Sequence, residues 1–239
     1  MLVAAAVCPC PPLLVPEVAQ GAAAELDPLR AACAEALRTV AEARPDHLYV
    51  VGGTDPEDPA RRAVFPAGAT GSLRRFGVER TVRLGSGGPV GGAGELTGPL
   101  AVGAWLLEWT GWSTECEAHC VPSDEPPADC LRLGAELAAR HPRVGLLVLG
   151  DGSARRSLKA PGYLDDRAEA FDATVAAALA AADTGALAGL DPAPAAGLLA
   201  AGRAPWQVLA GAAEGAGLTG RLLHEGAPYG VGYFAACWS

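Results

Sequence analysis

The chain has 239 residues, half of them hydrophobic, and its 27 acidic against 18 basic side chains give a formal net charge of −9. The apolar content excludes a disordered chain, and the negative charge argues against nucleic acid or an anionic membrane surface as a partner. No apolar run approaches the roughly 20 residues that a membrane span requires. Lys159 is the only lysine and the chain has neither Ile nor Asn, a bias typical of a GC-rich bacterial genome.

The number and spacing of the cysteines indicate a reducing cellular compartment. Seven cysteines occur at irregular spacings and form no Cys-x-x-Cys pair, so zinc-ribbon spacing is missing. Free, reduced thiols and a cytoplasmic location are therefore expected. The apolar residues 2–7 follow no basic segment and Pro9 comes directly after them, which argues against a signal peptide.

The first elements predict a β–α–β unit. Residues 2–7 form a short apolar strand that the following prolines end. A helix is expected over 27–44, with Asp27 as N-cap and Pro28 at its first position. Residues 48–51 form the next strand, and a parallel pair of strands joined by a helix is typical of a doubly wound sheet.

The rest of the chain continues this pattern after a long irregular segment, 52–97, with a strand at 81–84. Helical or alternating spacing of apolar residues distinguishes the later elements. In chain order these are helix 98–111, strand 114–121, helix 127–140, strand 143–149, helices 163–182, 193–202 and 204–217, and strands 221–223 and 231–238. With neither a repeat nor a linker, we predict one α/β domain over 1–239, with a central mixed, mostly parallel sheet and helices on both faces.

Several familiar motifs are excluded. The glycine-rich segment 85–94 has Val90 where a dinucleotide fingerprint needs its third glycine. Ser153 has no glycine two residues before or after it, so it is not a nucleophile elbow. His119 lies between Cys116 and Cys120, but on a strand it points to the opposite face, which argues against a metal cluster.

Four loops are expected at one edge of the sheet, where open α/β folds bind ligands. If their strands are adjacent, these loops converge on one cleft that carries thiols, carboxylates and basic groups. The loops are Cys8–Cys10, Gly52–Asp55, Gly150–Arg156 and the turn His224–Glu225.

Five segments, in the same chain order, resemble motifs of the LigB-type class III extradiol ring-cleavage dioxygenases, a superfamily that also includes MEMO-like proteins. Cys8–Glu17 is similar to the His-Pro-Pro-Leu-Leu opening, and Gly150–Arg155 to the Gly-Asp-Leu-Ser-His turn. The other segments are 48–51 with its following loop, Lys159–Asp172 and Ala227–Phe234. The resemblance covers most of the chain and implies the fold of that superfamily.

The resemblance also implies a site. Active members hold one Fe(II) with two histidines and a glutamate, leaving room for a catecholate and O₂, and a further histidine is the acid–base group. The two ligand histidines correspond here to Cys10 and Thr54, the acid–base histidine to Ala154, and the glutamate to Glu225. Thr54 cannot replace an imidazole and Ala154 has no proton to transfer, so the residues argue against the iron chemistry.

Three interpretations of the cleft stay open. In the first, Cys10, alone or with Cys8, binds Fe, Zn or Cu with Asp151, His224 or Glu225; no metal at all is the alternative. In the second, Ser153, Arg155, Arg156 and Lys159 bind an anion, unless these basic groups pair with Asp165, Asp166 and Glu169. In the third, the chain is an inactive scaffold with Trp105, Trp109 and Trp112 as its interface.

The predicted function is that of a divergent dioxygenase-like enzyme acting on a small, anionic substrate; the alternative is a catalytically inactive interaction subunit. A small-molecule ligand and a homodimer are expected, and neither nucleic acid nor membrane. The predicted catalytic residues are Asp151, Ser153 and Lys159, the substrate-binding residues are Thr54, Asp55, Arg155, Arg156 and Tyr229, and the metal ligands are Cys10 and Glu225.

Overall fold

A seven-stranded sheet organises the chain in the computed structural model, which describes residues 1–86, 88 and 94–239. The strands are β1 (Leu2–Cys8), β2 (His47–Thr54), β3 (Val64–Pro66), β4 (Thr70–Ser72), β5 (Thr81–Arg83), β6 (Cys116–Pro122), β7 (Val144–Leu149), β8 (Gly220–Gly226) and β9 (Tyr233–Trp238). The helices are α1 (Pro16–Ala19), α2 (Asp27–Glu42), α3 (Gly98–Thr110), α4 (Pro127–Ala139), α5 (Ala168–Ala181), α6 (Thr184–Ala188), α7 (Pro192–Gly197) and α8 (Arg203–Ala213).

The strand order is β3-β6-β2-β7-β1-β9-β8. The four neighbours β6, β2, β7 and β1 are parallel, and antiparallel pairs add β3 at one edge and β9 and β8 at the other. The residues of β2 and β7 are buried throughout, as continuous apolar runs of parallel strands usually are. Strands β4 and β5 form a separate two-stranded sheet.

Helices cover both faces of the large sheet. Alternate residues of each strand enter one of two cores, as a period of two requires. Ala4, Ala6 and Cys8 of β1 pack with residues of α2 and α3, whereas Ala5 and Val7 pack with residues of α4, α5 and α8. The mixed, mostly parallel α/β fold with helices on both faces is therefore confirmed.

Several predicted bounds differ from the observed ones, and two short strands were not predicted. Helix 163–182 begins only at Ala168. Helix 193–202 is the short α7, because the chain turns at Leu199, which has a φ of 55°. Strands β3 and β4 lie in the segment that was expected to be largely irregular.

Two further findings concern sequence expectations. The glycine-rich segment 85–94 includes residues 87 and 89–93, which lie outside the described residues. Within the described ranges, the helices are all too short or too polar to cross a membrane.

Candidate active site at the carboxyl edge of the sheet

Strand directions place the four predicted loops at one edge of the sheet. β1, β2 and β7 are parallel neighbours, so their carboxyl ends share this edge. Because β9 is antiparallel to β1 and β8 is antiparallel to β9, the end of β8 reaches the same edge. This is the position at which open α/β sheets bind their ligands.

Asp151, directly after β7, is the central carboxyl group of this edge. Its Oδ1 accepts the backbone N–H of Cys10 at 2.8 Å, which ties the loop after β7 to the loop after β1. Burial raises the pKa of Asp151 to about 7, and the hydrogen bond from Cys10 only partly opposes this shift. Since the residue keeps some solvent exposure, its carboxyl group can exchange protons near neutral pH.

Two buried groups surround Asp151. Burial, followed by the charge of Asp151, raises the pKa of the Cys10 thiol well above its ordinary value. Burial, followed by the charges of Asp151 and Cys10, raises the pKa of the Tyr233 phenol. Both groups therefore stay protonated at neutral pH, which makes Cys10 a poor nucleophile and a poor metal ligand.

The residues at the positions of the iron ligands do not fit an iron ion. The hydroxyl of Thr54 donates to the carbonyl of Arg61 at 3.2 Å, and the side chain of Ala154, at the position of the acid–base histidine, has no polar atom. Glu225 is exposed at the end of β8. Among the described residues, no three His, Cys, Asp or Glu side chains come together in a way that could hold a metal ion. We therefore derive no reaction step through a metal.

Ser153 has a structural role in the loop after β7, and its catalytic role stays a prediction. The side chain is 0% exposed. Its hydroxyl donates to the carbonyl of Leu198 at 3.0 Å and accepts the N–H of Arg155 at 3.1 Å. Its own N–H donates to Asp172 at 2.8 Å, so all of its polar atoms are used within the fold.

The predicted anion site is occupied by the protein's own carboxylate. Asp172, buried on α5, accepts the N–H of Ser153 and also the guanidinium of Arg156 at 2.9 Å. Glu169 lies 3.9 Å from the same guanidinium. The amide of Ser153 and the guanidinium of Arg156 are therefore already paired within the protein, and the assignment of Arg156 to the substrate stays a prediction.

The remaining predicted residues lie apart from one another. Lys159 is exposed on the loop before α5. Arg155 is half-buried, and its buried Nε has no hydrogen-bond partner among the residues that the structure describes. The hydroxyl of Tyr229 donates to Glu25 at 2.9 Å, which ties the loop before β9 to the segment before α2. Neither Lys159 nor Arg155 contacts the Asp151 cluster through a hydrogen bond in the described structure.

A cavity of about 490 Å³ opens beside the carboxyl ends of β2 and β6. Thr54 and Asp55, the neighbouring residues predicted to bind substrate, both line it, and that role stays a prediction. Sequence reasoning missed Asp58 on the same loop, and it missed Arg75, Thr97 and Ser123 because they come from segments distant in sequence. The lining comprises Gly53, Thr54, Asp55, Asp58, Arg75, Thr97, Gly98, Pro99, Ser123, Ala195, Ala196, Leu199, Ala200 and Ala201.

The segment after α7 separates this cavity from Asp151. A Cβ atom on Gly53 would lie 2.8 Å from the carbonyl oxygen of Ala201, so β2 and this segment touch through their backbones. The N–H of Gly202 donates to the carbonyl of Asp151 at 2.8 Å. One short stretch thus forms a wall of the cavity and holds Asp151 in place.

The tryptophans predicted as an interface differ in exposure. Trp105 is 2% exposed, whereas Trp109 is 46% exposed and stacks on it with ring centroids 5.4 Å apart. Trp109 and Trp112 line a groove of about 610 Å³ between α2 and the end of α3. His119 points away from Cys116 and Cys120 and contacts Glu117 at 2.7 Å, as the alternation of the strand predicted.

Comparison with known proteins identifies the fold alone. No protein-family model and no curated protein matches the chain. Among solved structures, the chain is similar to the crystal structure of the uncharacterized protein JW3007 from Escherichia coli K12. The two share 15% sequence identity with a TM-score of 0.52, over 99% of each chain.

Proposed function

We propose that the chain is a divergent enzyme with a LigB-like fold that transfers protons to and from a small molecule at the carboxyl edge of its sheet. The observation that carries the proposal is Asp151, a partly exposed residue at this edge whose carboxyl group has its pKa raised to about 7 by burial. An acid–base group works best when its pKa lies near the working pH. Perturbed carboxyl groups of this kind also cluster at functional sites.

The residues around Asp151 suit this role. The Cys10 amide fixes the position of one carboxylate oxygen, which leaves the other oxygen for a substrate. The Tyr233 phenol, protonated at neutral pH, adds a neutral polar group beside it. Ring cleavage of a catechol is not part of the proposal, because Thr54 and Ala154 cannot supply the imidazoles that the resemblance requires.

The test follows proton transfer directly. Purified protein is incubated in D₂O with a mixture of organic acids, amino acids and sugar phosphates, and each component is analysed by mass spectrometry. We expect deuterium incorporation or conversion of at least one component. Asp151→Asn, which keeps the shape but cannot titrate, should slow this reaction at least about 100-fold.

The control is Glu169→Gln, a conservative change at an exposed carboxylate, which should react as the wild type does. A reaction that Asp151→Asn leaves unchanged would contradict the proposal, and so would a mixture that the wild-type protein does not alter.

The second candidate function is an inactive interaction protein, and the exposed Trp109 in its groove favours it. This candidate predicts that Trp109→Ser, but not the surface control Arg132→Gln, abolishes self-association or capture of a partner. Light scattering of the purified protein measures self-association. If the wild type and both variants are all monomers, the result argues against a homodimer.

We also propose a cytoplasmic location. All seven cysteines are free and buried, as is usual for proteins of reducing compartments.

A further inference from the structure

The cavity beside β2 and β6 contains charges of both signs that do not pair with each other. Arg75, Asp55 and Asp58 all line it. Arg75 is exposed, and its guanidinium lies over the ring of Phe76 at 4.8 Å. In the part of the chain that the structure describes, no carboxylate lies within 4.0 Å of this guanidinium.

A glycine creates the place that Arg75 occupies. A Cβ atom on Gly98 would collide with the Arg75 guanidinium. The side chain therefore lies directly against the backbone at the start of α3, at the wall of the cavity. From this position the guanidinium can bind a carboxylate through two parallel N–H donors.

The two aspartates offer acceptors in the same cavity. Oδ1 of Asp55 accepts the N–H of Glu57 at 2.9 Å, and Oδ1 of Asp58 accepts the N–H of Ala60 at 2.8 Å. These bonds orient both carboxylates and leave one oxygen of each for a ligand. With one guanidinium against two carboxylates, the charged lining is suited to a molecule that carries both signs.

The remaining wall is mostly apolar. Pro99, Leu199 and four alanines make up most of it and provide contacts for an aliphatic group, while the hydroxyl residues Thr54, Thr97 and Ser123 complete the lining. A volume of about 490 Å³ lies in the range of small-molecule sites.

We propose that this cavity binds a small zwitterion with an aliphatic body. Its carboxylate pairs with Arg75, its ammonium group is held by Asp55 and Asp58, and its body packs on Pro99 and Leu199. Because the segment after α7 separates this cavity from Asp151, the proposal goes beyond the proposed reaction and assigns a second ligand site at the same edge of the sheet.

The experiment is a calorimetric titration with three probes that share a branched aliphatic body. They are leucine, which is a zwitterion, 4-methylpentanoate, which has only the carboxylate, and 3-methylbutylamine, which has only the ammonium group. We expect leucine to bind at least about tenfold more tightly than either singly charged probe, because each charge-assisted contact is worth about a factor of ten or more.

Variants assign the two ends of the ligand. Arg75→Gln should weaken leucine binding about tenfold or more and leave 3-methylbutylamine binding unchanged. Asp58→Asn should weaken leucine and 3-methylbutylamine binding and leave 4-methylpentanoate binding unchanged. The control is Arg74→Gln, since Arg74 is the exposed neighbour of Arg75, pairs with Glu79 and does not line this cavity.

Three results would overturn the inference: no heat of binding with leucine at millimolar concentrations, equal affinity for leucine and 4-methylpentanoate, or equal effects of Arg75→Gln and Arg74→Gln. Turnover that depends on Asp151 without leucine binding overturns this inference alone. Leucine binding without any Asp151-dependent turnover overturns the proposed reaction alone.

Discussion

Asp172 holds the loop after β7 in place and occupies two of its hydrogen-bond donors. Its carboxylate holds the N–H of Ser153 and the guanidinium of Arg156. It also requires glycines nearby, because a Cβ on Gly152 would lie 2.7 Å from its Oδ1 and a Cβ on Gly232 would collide with its Oδ2. Gly152 and Gly232 are thus explained by close packing on a buried carboxylate.

The Asp172→Ala variant should lose about 3 kcal/mol of unfolding free energy, because it leaves a buried amide and a largely covered guanidinium without their acceptor. Denaturant unfolding measures this loss. Glu169→Ala, which removes the exposed partner of Arg156, should change stability by less than about 0.5 kcal/mol. Equal losses in the two variants would contradict this account.

At the level of elements, α4 and α8 approach each other through glycines. A Cβ on Gly134 of α4 would collide with the carbonyl oxygen of Val208, and a Cβ on Gly211 of α8 would collide with that of Leu131. The two helix backbones are therefore in direct contact. This contact fixes the position of α8, which begins just after the loop that lines the cavity beside β2 and β6. Arg203 of α8 donates to the carbonyl of Glu125 and to Gln207.

Gly134→Ala should therefore destabilise the protein by about 2 kcal/mol through overpacking, although alanine favours a helix over glycine by about 1 kcal/mol. The comparison is Gly197→Ala at the end of α7, where only the Arg167 guanidinium lies within 4 Å of the new methyl group. That variant should be neutral or slightly stabilising. A Gly134→Ala protein with wild-type stability in thermal unfolding would show that the helices can move apart at no cost.

At the level of the whole molecule, buried titratable groups on the sheet and at its edge make the unfolding free energy depend on pH in opposite directions. Burial lowers the pKa of His47 on β2 and of His119 on β6. Their contribution to stability is complete above the unfolded pKa of about 6.5 and is lost as the pH falls through the lower folded value. Asp151 acts in the other direction, because its contribution is complete below about pH 4 and is lost as the pH rises through about 7.

The contributions of the histidines and of Asp151 overlap in pH, so each is measured as a difference from the wild type. On acidification from about pH 6.5 to about pH 5, His119→Gln should lose less unfolding free energy than the wild type, or gain more. As the pH rises from about 5 to about 8, Asp151→Asn should lose less unfolding free energy than the wild type, or gain more. Denaturant unfolding across this pH range measures both slopes. An unchanged acid slope in His119→Gln would mean that His119 becomes charged in the folded protein without penalty.

The sequence by itself determined the layers of the fold. Apolar runs predicted β1 and β7, and alternation in 114–121 correctly placed His119 on the face opposite Cys116. These features are readable because the face that a side chain occupies depends on local periodicity and burial. Strand directions then placed the loops with Cys10 and Asp151 at one edge.

Only the tertiary structure decided which side chains work together at that edge. Asp172 pairs with Ser153 and Arg156 from 19 and 16 residues away. Arg75 and Asp58 line the cavity beside β2 and β6, and both come from the segment 52–97, in which apolar residues showed little periodicity. The chain turns at Leu199 after α7 and forms a wall of the cavity there. Leu199 has a positive φ although it is not a glycine, so the sequence does not predict this turn. Such contacts join distant segments, so their partners follow from the packing of the whole chain and not from any local pattern of residues.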